Sequence, residues 1–169
     1  GVNLTSNGAF SVTAGGVVQG GANGIQTSGV NGGVVNVLAA GSVRGLGTSA
    51  ATAVVDVTTT AGQTTTINNA GLIRSTNATI LGAAGDLAIR GTGGSVTVNN
   101  SGRIDGRMDF SGLAAGSSVL VNNTSATSWH TTGLTTFSAG NDTVANTGVG
   151  LLATSGATTF DFGADTGVA

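Results

Sequence analysis

Few residues in this chain could do chemistry. His130 is the only histidine and stands beside the only tryptophan, Trp129, in the stretch "SATSWHTTG". A histidine can serve as base for a serine nucleophile when a carboxylate orients it. Serines are plentiful, but no Gly-x-Ser-x-Gly elbow is present. Trp129 and His130 read instead as an exposed ligand-contact spot or, more plainly, as a tryptophan packed over a coil edge. Asp105 and Asp109 in "RIDGRMD" are carboxylates four residues apart, the residue type that glycosidases use in pairs. In a strand-turn-strand segment that spacing need not converge. Arg103 and Arg107 flank them and would make solvent-exposed ion pairs worth little. "AGNDTV", Ala139–Val144, partly matches a calcium-binding nonapeptide, yet its nearest partial copy is at Gly163–Asp165. Asp142 closing a turn with its own backbone is the simpler reading. Threonine runs at Thr58–Thr60 and Thr64–Thr66 would suit an ice-binding array only if they recurred at the repeat period, and they do not. The inventory assigns no catalytic residue, metal ligand or cofactor.

These residues must be held by a repeating framework. "TINNAGLIRS" from Thr66 returns 31 residues later as "TVNNSGRIDG" from Thr97. The unit V/I-N-x-x-G-x-I/V also appears, one residue longer, at Val35–Val43, and in degenerate form at Val121 and Val144. Arg44 and Arg74 occupy equivalent repeat positions, and Asp105 takes the third. Phe137, Gly140 and Asp142 align with Phe160, Gly163 and Asp165 at a spacing of 23. Periods of 20–50 residues with short apolar alternations signal a solenoid, because one coil cannot bury its own apolar face. The expected architecture is all-β: a parallel β-helix (β-solenoid) of about seven coils, each roughly 23–31 residues, spanning 1–169 as part of a longer array. In it, Asn68, Asn99 and Asn122, and likewise Asn69, Asn100 and Asn123, form turn ladders at one corner. Asn suits that place by tolerating left-handed backbone and by bonding along a stack. Gly71 and Gly102 supply positive φ there, or a close approach of backbone. The rival is an antiparallel sandwich or barrel, suggested by Asn-Gly pairs at Asn7, Asn23 and Asn31. Gly82–Gly91 reads as a loop and strand, or less simply as a short helix.

Composition agrees with strands. There are 31 Gly, no Pro, Cys or Tyr, five Arg, seven Asp, and no Lys or Glu. Helix faces are normally filled by Lys, Glu, Gln and Leu, whereas Val, Ile and Thr favour strands and Gly and Asn favour turns. A mean hydropathy of +0.31 argues against disorder. The net charge of −2 with scattered Arg argues against nucleic-acid binding. No apolar run approaches the roughly 20 residues of a membrane-crossing helix, so no membrane insertion by this segment is expected. The absence of cysteine excludes disulfides and thiolate metal sites.

The units "INNAGLI", "VNNSGRI" and "FSAGNDTVANTG", followed by "FDFGADTG", resemble the passenger region of Gram-negative autotransporters (type V secretion) from about residue 35 onward. The resemblance implies a right-handed parallel β-helix, extracellular or displayed on the bacterial cell surface by a C-terminal membrane barrel that is absent here. It departs from the pattern where coil spacing drifts and the copy near Val121 loses its glycine. The function so implied is a structural or adhesive module that mediates attachment or cell–cell aggregation. Its partner would be a host or bacterial surface, protein or glycan, or another copy of itself. Two alternatives remain: a self-assembling filament or surface-layer building block, and a polysaccharide-acting enzyme using Asp105 and Asp109.

Overall fold

The computed structural model describes residues 1–76 and 82–163. The chain opens with β1 (Val2–Ser6), β2 (Phe10–Ala14) and β3 (Val17–Gln19), and the trio recurs as β4 (Ile25–Gly29), β5 (Gly33–Val37) and β6 (Ser42–Gly45). The first two members then fuse into one long strand around a corner. This gives β7 (Val55–Asn69) followed by β8 (Leu72–Ser75), and β9 (Leu87–Asn100) followed by β10 (Arg103–Asp105). The trio separates again as β11 (Arg107–Leu113), β12 (Val119–Asn123) and β13 (Trp129–His130), and as β14 (Gly133–Thr136), β15 (Thr143–Asn146) and β16 (Leu152–Ala153), before β17 (Thr158–Asp161). A single 3₁₀ turn, Ala50–Thr52, is the only helical element among the described residues.

Among the described residues every pairing is parallel and joins a strand to its copy in the adjacent coil. Three stacks result: β1-β4-β7-β9-β11-β14-β17, β2-β5-β7-β9-β12-β15, and β3-β6-β8-β10-β13-β16. The fold is therefore a parallel β-helix, and the antiparallel alternative is overturned. The Asn-Gly pairs sit in connections between consecutive strands that do not pair with each other, not in hairpins. At Asn31–Gly32 the glycine takes φ 73° to turn the chain from β4 into β5.

Alternation explains the core. Side chains on a strand point to opposite faces in turn, so every second residue enters the interior. One inward column is Val12, Val35, Ile67, Val98, Val121 and Val144; another is Val18, Val43, Ile73, Ile104, Trp129 and Leu152. From Val35 to Val121 and from Val43 to Trp129 these side chains are at most 1% exposed. Burial of each aliphatic member stabilises the coil stack by about 1.5–3 kcal/mol.

The period is less regular than the sequence suggests. Registered partners stand 23 residues apart at Val2 and Ile25, 30 at Ile25 and Val55, 34 at Val55 and Ile89, and 19 at Ile89 and Met108. The extra residues lie in the connections from β6 to β7 and from β8 to β9, and lengthening a connection costs little entropy. The 23-residue alignment of Phe137 with Phe160 needs correction. Phe160 pairs with Thr135, and Phe137 stacks on Phe162, with ring centroids 4.6 Å apart and planes at 9°. A slip of two residues keeps every side chain on its face, so the sequence pattern could not detect it. Asp165 lies outside the described residues. Gly82–Gly91 is a loop that runs into β9 at Leu87.

Candidate functional site

The second stack ends in asparagines, and the alternation splits them into two ladders. Asn68, Asn99 and Asn122 face outward and are half-buried; Asn69, Asn100 and Asn123 face inward and are at most 2% exposed. In the outer ladder Asn68 Nδ2 donates to Asn36 Oδ1, Asn99 Nδ2 to Asn68 Oδ1, and Asn122 Nδ2 to Asn99 Oδ1, each at 2.9 Å. In the inner ladder Asn69 Nδ2 donates to Asn100 Oδ1 and Asn100 Nδ2 to Asn123 Oδ1 at 2.8 Å, and Asn123 Nδ2 donates to Asn146 Oδ1 at 2.6 Å. The inner amides are held in that sense because Asn69 and Asn123 also donate to the backbone carbonyls of Arg103 and Leu151, which can only accept. The inward column continues toward the N-terminus as Val37 and Ala14, so Asn69 Oδ1 is left buried without a hydrogen bond. Sequence reasoning missed Asn36 and Asn146. Both stand in repeat copies, "VNVLAAGSV" and "VANTGVG", that carry only one of the two asparagines.

The reason for asparagine differs from the expected one. None of these residues adopts positive φ; Ser128, at φ 97°, is the only non-glycine that does among the described residues. The amide is used for its paired donor and acceptor, one layer to the next. Gly71 and Gly102 also lack positive φ, so that half of their expected role is overturned. What they supply is close approach. A Cβ on Gly71 would strike the Gly41 carbonyl oxygen, and one on Gly102 would strike that of Gly71. In the following coil Ser125 takes this place, and its hydroxyl donates to the Gly102 carbonyl. Ser125 Oγ also accepts the Thr127 and Ser128 N–H groups at 3.1 and 3.2 Å, which explains how the glycine can be lost there.

Outside this corner runs a groove. Its first section, about 330 Å³, is lined by Asn36, Asn68, Asn99 and Asn122 with Leu38 and Ala70. A second section of about 400 Å³ shares Ala70 and Ser101 with the first and passes over Gly71 and Gly102 toward Leu72 and Arg103. No ionisable side chain lines the first section. In the second, Arg103 is held by Asp105, Nε to Oδ1 at 2.8 Å. The groove is thus a neutral trough. One wall is a row of amides, and the rim carries the half-exposed Leu38 and exposed Ala70.

The other expected sites lie elsewhere. Trp129, expected as half of an exposed contact spot, is a core residue. It is 1% exposed, donates from Nε1 to the Gly106 carbonyl at 3.0 Å and meets Phe160 edge-on with centroids 5.5 Å apart. Its in-register neighbour in β10 is the inward Ile104, which fixes its facing. His130 points the other way, half-buried, next to Asp105 across the ladder. Asp105 and Asp109 do not converge: Asp105 belongs to the third stack and Asp109 to the first, where it accepts Ser111 N–H and O–H. The Arg103–Asp105 pair is not solvent-exposed as expected, since Asp105 is fully buried. Arg44, Arg74, Asp105 and His130 form one outward column.

Asp86, which sequence reasoning overlooked, feels the charge of Asp105. Asp86 closes a turn by accepting the Ala83 N–H at 3.1 Å. Burial pushes its carboxyl above the ordinary value. The Ala83 and Ser75 hydrogen bonds oppose that shift, the Asp105 charge adds to it, and Arg74 opposes it. Gly82, near the start of this turn, packs against the His130 backbone. Asp142 holds a turn as well: it accepts Ser138 N–H at 2.8 Å and, across the coil boundary, Val119 N–H at 2.6 Å. Those donors give the carboxylate a role in holding the turn, and no cluster of three or more potential metal ligands occurs among the described residues. The threonine runs alternate across β7, with Thr59 and Thr65 buried, and form no flat array.

Comparison of the chain with family models, curated proteins and solved structures finds no match in any of the three.

Proposed function

We propose that this chain is a segment of an extracellular β-helix, displayed on a bacterial surface as part of an autotransporter-type passenger, that mediates attachment through its corner groove. The observation that carries the reading is the groove itself. It is concave, uncharged in its first section, and lined by four amides linked layer to layer. Concave sites with a few fixed polar groups on an apolar lining are the usual form of binding sites. The amides are preorganised by their mutual bonds, so a ligand would spend little on ordering them. The parallel stack gives a stiff mount, which suits presentation of a binding surface. The Arg103–Asp105 and Asp142 arrangements support this reading over catalysis, because their polar atoms are already engaged in holding turns and strands.

The test is attachment. The chain coupled to beads is exposed to extracellular-matrix proteins, immobilised glycans and bacterial cells, with uncoupled beads as reference. Retention on at least one of these surfaces is expected. Retention no greater than that of bare beads on all of them would refute the proposal.

A further inference from the structure

Resting on that reading, we infer that the groove takes a neutral, hydroxyl-rich linear polymer, a chain of pyranose units, laid along the axis of the helix across Asn36, Asn68, Asn99 and Asn122. Three features select this chemistry. First, each outer amide has two N–H groups and an oxygen with two acceptor sites, and the ladder uses one donor and one acceptor at each inner member. What remains at Asn68 and Asn99 is one donor beside one acceptor, and Asn36 and Asn122, at the two ends of the row, keep one donor or acceptor more. A sugar hydroxyl is the matching group, because it both donates and accepts. Secondly, the first section offers no charge, so an anionic or cationic polymer finds no compensation for its lost hydration. Thirdly, the layers are about 4.8 Å apart, while an extended peptide advances about 3.3 Å per residue. A peptide lying along the axis comes back into step with the amides only after three residues and two layers, and then with its opposite edge turned to them. An extended chain of equatorially linked pyranose units advances by about one ring per unit, close to the layer spacing, and offers a hydroxyl at each layer. The apolar rim at Leu38 and Ala70 meets the C–H faces of the rings.

Affinity electrophoresis tests this on the chain as it exists. At neutral pH the protein carries a net charge of −2 and migrates toward the anode. Gels are cast with a soluble unbranched β-glucan, with dextran, with alginate as anionic control, with a gelatin digest as peptide control, and with no polymer. Migration relative to the polymer-free gel is expected to fall at least twofold in one of the neutral glucans and to stay unchanged in alginate and gelatin. Ala70→Arg fills the groove from an exposed position, and it should abolish the retardation. The pair Asn68→Thr with Asn99→Thr removes two amides from half-buried strand positions and should do the same. Trp129 fluorescence establishes that each variant is folded. Should the double variant not fold, Ala70→Arg alone decides. Retardation that survives Ala70→Arg overturns the groove assignment. Retardation by gelatin or alginate, with none by the glucans, overturns the ligand class. A chain that adheres to surfaces yet passes both glucans freely overturns this inference and leaves the attachment reading standing. A chain that adheres to nothing and is not retarded overturns both.

Discussion

Asn100 sits in the middle of the inner ladder, accepting from Asn69 and donating to Asn123, both at 2.8 Å and all out of contact with water. Asn100→Ala strips a partner from each neighbour. Asn123 Oδ1 loses its donor, and Asn69, whose own Oδ1 is already unpaired, keeps only its bond to the Arg103 carbonyl. Each buried group left unsatisfied costs about 1–3 kcal/mol, so the change costs about 2–6 kcal/mol. That is a large share of the 5–15 kcal/mol of an ordinary domain. Asn99→Ala, one residue earlier on the same strand, removes the same two kinds of bond from the outer ladder. Water reaches that face, so the cost there is about 1 kcal/mol or less. The assay is urea unfolding followed by Trp129, the only tryptophan, buried in the third stack. With a slope of about 2 kcal/mol per molar urea, a 4 kcal/mol loss moves the midpoint down by about 2 M. Replacing Asn69, Asn100 and Asn123 together by Val removes buried donors and acceptors at once and extends the Ala14–Val37 column, so part of the loss should return. The reasoning fails if Asn100→Ala and Asn99→Ala lower the midpoint equally.

Gly102→Ala should cost about 2 kcal/mol or more, because its Cβ meets the backbone at Gly71, which cannot swing aside; a thermal midpoint unchanged within about 1 °C would contradict this. Arg90→Met leaves Asp56, 1% exposed, without its bidentate partner at 2.9 Å to each oxygen. A loss of about 3–5 kcal/mol is expected in urea unfolding, and a loss below about 1 kcal/mol would mean that solvent replaces the guanidinium. Asp86 has its folded-state carboxyl raised, chiefly by burial. The folded protein therefore holds this proton more tightly than the unfolded chain does. Asp86 favours folding while protonated, and that contribution is lost as pH rises from about 3.9 through the raised value. Asp86→Asn should flatten the stability profile across that window, and an unaltered slope would show that the carboxyl is not strained by burial.

Much of the framework was legible in the sequence. The spaced copies of V/I-N-x-x-G-x-I/V demand that equivalent residues stack, and stacked β-branched residues make parallel strands. The asparagine and glycine columns followed from those copies alone. What remained was decided in three dimensions, for reasons rooted in the chain's alternation. A period of two says which residues share a face, not which face is inside. Trp129, in a stretch with no apolar alternation around it, was thus free to point either way until its pairing with Ile104 turned it inward. The same parity hid the two-residue slip at Phe137 and Phe160. It also split adjacent asparagines into a dry ladder and a wet one, and it is the outward, half-buried one that turns its amides toward the groove. The approach of Asp86 to Asp105 depends on where the Ala83–Asp86 turn comes to rest. A turn without periodicity carries no record of that in its sequence.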